Sequence, residues 1–433
     1  MDARVLADAA EGAAASVDAL WIMVAAAMVL IMTPGVAFFY GGMVRATSVI
    51  SMMMMSFAGI GVVGMLWVLY GYSMAFSSGA DWLIPHWLGD PLADLGLWRQ
   101  LGIGADGSMT PDMRGLAFAG FQAAFAIVTV ALISGAIADR AKFGAWLVFA
   151  GVWATLVYFP VASWVFNFTA GDDGTLVDGG WAVFLLRVND FAGGTAVHIN
   201  AGAAGLALAL ILGKRVGFGK GMSKPHNVPL TMLGAALLWF GWFGFNAGSE
   251  TAVDGVAALA WVNTLVAPAA AIGGWLLVER IRSGKPTSIG AASGAVAGLV
   301  AITPGCNILT PGWAILLGIV TGAVCAYAVD LKFALGFDDS LDVVGIHLVG
   351  GIVGTVYIGI FGSGIGLLDT GRPGQLIAQL IGAFGIALYS FCMAYAIGWA
   401  IQRTMGFRIA AEHEIAGVDT VVHGEKGYAL AMD

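Results

Sequence analysis

DFAGGTAVHINAG (residues 190–202) and DSLDVVGIHLVGG (residues 339–351) each place a histidine, His198 and His347, inside a long apolar run. In both stretches an aspartate precedes the histidine by eight residues and a glycine follows it by four. The histidines are 149 residues apart, about a third of the 433-residue chain. A titratable side chain at membrane depth is costly and by default marks a substrate or proton path. A matched pair predicts an internal duplication that brings two imidazoles to one place.

The surrounding composition agrees. Hydrophobic residues make up 59% of the chain and charged ones only 11%, with a mean hydropathy of +0.87, which implies a polytopic membrane protein. Its 64 glycines suit closely packed transmembrane helices. Eleven runs are long enough to span a bilayer, at about 19–42, 48–76, 115–138, 143–168, 192–213, 228–248, 254–279, 288–304, 310–331, 341–362 and 375–403. Residues 1–18 carry Asp2, Asp8, Glu11 and Asp18 against Arg4, so they lack the basic start of a secretory signal and no cleavage is expected.

Lysine and arginine set the orientation. With the N-terminus outside, inner segments hold 14 of the 19 basic residues, among them Arg45, Arg140, Lys142, Lys214, Arg215, Lys220, Lys224, Arg403 and Arg408. That bias predicts an outer N-terminus and an inner C-terminus. His198 falls on span five and His347 on span ten. Five spans per half is an odd number, so the second half must enter from the opposite side, as in transporters built from inverted repeats with a site near the midplane. The expected fold is an all-α polytopic membrane protein: an extracytoplasmic segment over 1–18, a membrane domain over 19–403 and a cytoplasmic tail over 404–433. The repeat halves cover 19–213 and 228–362, and an extra helix covers 375–403.

Five strings together carry a resemblance: TPGVAFFYGGMVR (33–45), DFAGGTAVHIN (190–200), GKRVGFGK (213–220), WFGFNAGS (242–249) and DVVGIHLVGGIVG (342–354). From about residue 20 to its end the chain resembles the ammonium transporter family (the Amt/Mep/Rh superfamily), on the bacterial Amt side. The resemblance implies a homotrimer in the bacterial cytoplasmic (inner) membrane, a narrow pore in each subunit, and ammonium, ammonia or methylammonium as ligand. It gives the twin pore histidines to His198 and His347. It gives the gate to Phe125 and Phe245, with Phe121 one helical turn away. The outer site falls to Phe125, Ser249, Asp190 and Phe166. Phe166 stands where the family usually has a tryptophan, with Trp164 two positions earlier as a possible substitute, and a phenyl face is the weaker cation partner.

Several of these residues also have a plainer reading. Asp190 immediately precedes an apolar helix and is placed to cap it, or to attract a cation, or both. Asp339 and Asp342 are expected to do comparable structural work before span ten. Phe121 could be core, and Ser249 could cap a chain reversal. Cys306, Cys325 and Cys392 read as buried small hydrophobes with no metal-ligand spacing. GKRVGFGK lacks the phosphate-loop spacing, and no nucleophile elbow or paired catalytic carboxylates are present in the sequence. No enzyme activity, cofactor, metal or nucleic-acid partner is expected; membrane lipid surrounds the spans. The tail could be a disordered end. Its resemblance to the family's tail, centred on Gly417 and Asp419, instead implies regulation by a PII-type nitrogen signal protein. A competing expectation is an ammonium sensor that signals through this tail and transports little.

Overall fold

The computed structural model describes the backbone of residues 3–104, 106–171, 173–219 and 225–428, with side chains from residue 12 onward. Lys220, Lys224 and the side chains of Arg4, Asp8 and Glu11 lie outside the described residues. Eleven described helices are long and apolar enough to cross a membrane. Spans one to five are Gly12–Met43, Val49–Phe76, Met113–Ile137, Phe143–Phe166 and Gly194–Leu212. Spans six to ten are Val228–Glu250, Gly255–Ser283, Ser288–Gly305, Pro311–Leu335 and Val344–Phe361, and span eleven is Gly374–Thr404. Each coincides with one of the expected runs.

The N-terminal segment is helical as far as it is described. Helix already runs over Ala3–Leu30, so residues 3–18 form a helical extension of span one. Its alanine-rich composition favours that state without any membrane around it. Span one then bends at Ile31. Pro34 has no N–H to donate back to residue 30, so the ladder breaks there.

Two faces can be defined by their loops. One, the loop face, carries two small antiparallel hairpins, Trp82–Ile84 with Leu88–Gly89 and Phe168–Ala170 with Leu176–Gly179. The other, the tail face, carries the C-terminal residues. Span five runs from the loop face to the tail face and span ten runs the opposite way, as an inverted repeat requires. Each opens with a wide π-helical turn, Gly194–Ile199 and Val344–Leu348, and each turn packs on the helix that follows the other. The contact is reciprocal at two glycines. A Cβ on Gly202 would lie 2.5 Å from the backbone nitrogen of Leu348, and one on Gly351 would lie 2.9 Å from Ile199 Cγ1. The residue after each histidine thus rests on the glycine of the opposite repeat.

On the tail face a buried charge cluster ties three loops together. Arg140 is fully buried, donates to Ala136 O at 3.1 Å and bonds Ser340 Oγ. Burial pulls its pKa down to about 10, which leaves it a cation at neutral pH. Arg215 pairs with Asp338 at 2.9 Å and with Asp139 at 3.2 Å, and that guanidinium helps hold the Asp338 carboxyl below its usual range. The GKRVGFGK loop is therefore anchored through Arg215, as far as it lies within the described residues. Cys306 and Cys325 are buried, whereas Cys392 is exposed on span eleven, contrary to the expectation for all three.

If the reciprocal crossing holds the fold, Gly202→Ala should destabilise the protein by about 1–3 kcal/mol, the usual cost of overpacking a tight contact. Gly120→Ala is the matched control, since a Cβ there meets nothing within 4 Å. Thermal midpoints of the detergent-solubilised variants should separate, with Gly202→Ala clearly lower. Equal midpoints would mean the crossing tolerates a methyl group.

Candidate functional site

Between the spans on the loop face lies a vestibule of about 710 Å³, lined among others by Phe118, Gln122, Phe166, Asp190, Ser249 and Glu250. Below it two phenylalanines block the way. Phe125 and Phe245 stack with ring centroids 4.0 Å apart and planes 11° from parallel. Phe166 presents its edge to Phe125 from the vestibule side, at 6.2 Å and 85°. Phe121 packs behind Phe125 at 4.8 Å, is fully buried, and lines neither the vestibule nor the cavity beneath.

That cavity is lined by Val197, His198, Trp242, Phe245, Tyr40 and His347 with other apolar side chains. It offers about 10 Å³ to the centre of a water-sized sphere, close to the minimum for one small molecule. The two histidines meet inside it, with Nδ1 of His198 3.3 Å from Nδ1 of His347. Two facing nitrogens can bond only if one ring donates and the other accepts, so the tautomers are complementary. One ring then shows the cavity a bare Nε2 and the other an N–H. Nε2 of His198 has no hydrogen-bond partner among the described residues. Trp242 stacks against His198 at 5.2 Å, and its indole N–H donates to Thr303 Oγ1 at 2.8 Å. Trp242 was missing from the expected site, although it sits three residues before Phe245 and so shares its helix face.

Asp190 closes the N-terminus of span five. Its carboxylate accepts from the N–H groups of Gly193 at 2.9 Å, Gly194 at 2.6 Å, Thr195 at 2.7 Å and Ala196 at 3.2 Å, and also from the Thr195 hydroxyl. Both oxygens are occupied. Burial still pushes its pKa above the ordinary value, with the donors pulling the other way. Asp339 is its counterpart, accepting from Val344 N at 2.7 Å, with burial raising its pKa to about 6 against the pull of Lys332. Asp342 does not share this work. It has a positive φ of 66° and pairs with Lys332 instead.

The remaining residues divide. Ser249 lines the vestibule, and its hydroxyl donates to Phe245 O at 2.8 Å, which leaves oxygen lone pairs available. Trp164 is not brought to the site. Its indole N–H donates to Trp87 O at 2.7 Å, and its ring packs among Trp87, Trp181 and Tyr389. Residues two apart on a helix point in nearly opposite directions, so it cannot stand in for Phe166.

The described part of the tail, to residue 428, packs against the ends of the spans. Asp419 accepts from the N–H groups of Ile50 at 3.0 Å and Ser51 at 2.7 Å, which caps span two. Burial raises its pKa. Gly417 has φ 108°, and a Cβ there would lie 2.7 Å from Thr47 Cβ. Buried Glu414 pairs with Arg408 at 3.0 Å, accepts from Val216 N at 2.7 Å, and its carbonyl accepts from Arg45 at 2.8 Å. The disordered-end reading does not apply to these residues.

The sequence profile described as Ammonium Transporter Family matches residues 20–428. The protein named Ammonium transporter from Mycobacterium tuberculosis is 50% identical over 440 residues, covering 96% of this chain and 91% of that protein. The one of the same name from Bacillus subtilis is 42% identical, covering 96% and 99%. Among solved structures, one described as Sensor Amt Protein aligns with a TM-score of 0.84 at 27% identity, covering 94% of this chain and 98% of that one. Saccharomyces cerevisiae Mep2 aligns at 0.80 and 34%, covering 91% and 88%.

Removing the Asp190 carboxylate would strand four backbone donors at a buried helix start. Asp190→Ala should cost on the order of 2–4 kcal/mol, and Asp190→Asn, which keeps one acceptor oxygen, should cost less. Thermal midpoints of the two variants, taken with the yield of folded protein, test the order. A midpoint unchanged in Asp190→Ala would remove the capping role.

Proposed function

The chain belongs to the ammonium transporter family, and on that premise we propose that it recruits ammonium in the vestibule, deprotonates it, and conducts ammonia past His198 and His347. The observation that carries this reading is the imidazole pair, 3.3 Å apart in an apolar cavity behind two stacked phenyl rings. An unpaired cation there would lose its hydration at a cost of many kcal/mol. Transfer of one proton to solvent in the vestibule, leaving neutral ammonia to enter, removes that cost. Potassium could use the same aromatic faces but has no proton to surrender, so the apolar passage discriminates by chemistry as well as by size. In this scheme Phe166 and Ser249 hold the cation, and cation–π contact contributes about 0.5–2 kcal/mol. Phe125 and Phe245 part to admit the guest, with Phe121 as their backing. Asp190 acts through the helix start that it holds, rather than as a direct cation ligand. The histidines offer ammonia one acceptor and one donor.

The protein is proposed to work as a homotrimer in the bacterial cytoplasmic membrane, in nitrogen metabolism, as a transporter and not an enzyme. Its N-terminus lies outside, so the loop face is external and the tail face cytoplasmic. The docked tail is the surface offered to a PII-type partner. A second reading, an ammonium sensor with little transport, is favoured by the likeness to the Sensor Amt Protein and by the tail's grip on spans two and five.

His198→Ala and His347→Ala should fold but lose most methylammonium uptake in cells without their own carrier. Parental rate and selectivity in both variants would defeat the twin-histidine mechanism, and negligible uptake by the parent itself would favour the sensor.

The tail gives a separate expectation. Deletion after Arg408 should spare membrane insertion but abolish binding of a PII-type protein. Gly417→Val, which forces a side chain into Thr47, should weaken that binding before it reduces trimer yield. A pull-down with nucleotide state controlled is the measurement. Equal retention by all three proteins would take the tail out of the interaction.

A further inference from the structure

We propose that Glu250 is the cation-recruiting carboxylate of the vestibule, setting its apparent affinity for ammonium and methylammonium where Phe166 supplies no indole. The inference rests on the transport reading above and adds to it a residue that the sequence had not singled out. Among the described residues two carboxylates line the vestibule, those of Asp190 and Glu250. Asp190 has both oxygens occupied by five hydrogen bonds at the start of span five. Glu250, at the end of span six and next to Ser249, is half-buried and lies against the carboxyl group of Asp254. Asp254 is itself engaged with the N–H groups of Val256 and Ala257, each at 2.9 Å. Two acidic groups in contact make each other costlier to ionise, a cost that a cation bound between or beside them relieves. No lysine or arginine lines the vestibule among the described residues, and Arg114 on the same rim donates to the Thr251 carbonyl, at 3.4 Å.

A second acceptor points the same way. Gln122 is 5% exposed, lines the vestibule, and its Oε1 has no hydrogen-bond partner among the described residues. A buried amide oxygen without a donor is unfavourable unless a guest supplies one. Ammonium carries four N–H donors. Glu250 and Gln122 supply acceptors to it, Ser249 supplies a hydroxyl oxygen, and Phe166 supplies a π-face. The carboxylate raises the local concentration of monovalent cations, and the passage below selects among them.

Uptake of methylammonium by wild type, Glu250→Gln and Glu250→Asp, measured across concentration at low and high sodium chloride, tests the proposal. Glu250→Gln should raise half-saturation about fivefold at low salt and leave the maximal rate unchanged. The gap should close near 1 M salt, where charges are screened within about 3 Å. Glu250→Asp should stay close to wild type. A merely structural role would lower the maximal rate and would not respond to salt. Identical half-saturation for wild type and Glu250→Gln at low salt, or a loss confined to the maximal rate, would overturn the assignment. Wild type that carries no methylammonium would overturn the transport reading itself, and this assignment with it.

Discussion

Everything at the centre of this molecule depends on two helices crossing without room for a side chain. Leu348 rests on Gly202 and Ile199 rests on Gly351, so each repeat supplies the groove into which the other fits. Because the residues in contact immediately follow the histidines, this packing also fixes how far apart the imidazoles stand. A wide turn at each histidine admits the approach: the N–H of His198 reaches back five residues, to Gly193 O at 3.2 Å. Such turns cost regular hydrogen bonding and recur at functional sites for that reason. Here the cost is offset by buried aspartates that collect the freed donors.

Those aspartates explain how charge is kept out of the passage. Asp190 and Asp339 occupy matching places in the two repeats, at opposite faces, and each is directed at the start of its own span. A helix N-terminus carries roughly half a positive charge, so a carboxylate there is partly compensated without a counter-ion. What remains between the phenyl gate and the histidines is lined mainly by apolar atoms. A polar guest entering it finds imidazole nitrogens and little else, which is the condition for favouring a neutral molecule over its cation.

How much of this was legible in the sequence varies with the kind of signal. The eleven spans are long apolar runs, and no tertiary context competes with a signal of that length. The twin histidines were legible because duplication repeated the aspartate, histidine and glycine at fixed offsets. Trp164 was misjudged, because its nearness to Phe166 in sequence hid the opposite directions that helical geometry gives them. Asp342 was misjudged for a different reason. Its left-handed backbone turns the carboxylate toward Lys332, and nothing in the sequence DSLD marks which aspartate will turn. The helical start at Ala3 was hidden by polarity, since a run with four acids does not read as a span, yet alanine needs no apolar environment to be helical. Glu250 drew no notice because its meaning comes from a vestibule assembled by six separate parts of the chain.

The tail extends the same capping device to a distant partner. Span two begins at Val49 after Ser48, yet Ser48 gives no side-chain hydrogen bond to the helix start. Asp419, 368 residues away from Ser51, performs that task. A helix cap contributes about 0.5–2 kcal/mol. The Glu414–Arg408 pair, with its carboxylate buried and its guanidinium partly exposed, adds to it. A latch of that size keeps the tail docked most of the time while lying well within the binding energy of a protein partner. Detachment would also strip two donors at the start of span two of their acceptor, so the membrane domain registers whether the tail is present. Tail position and the packing of span two are therefore linked thermodynamically, and any ligand that favours one state of the tail must shift the other by the same free energy.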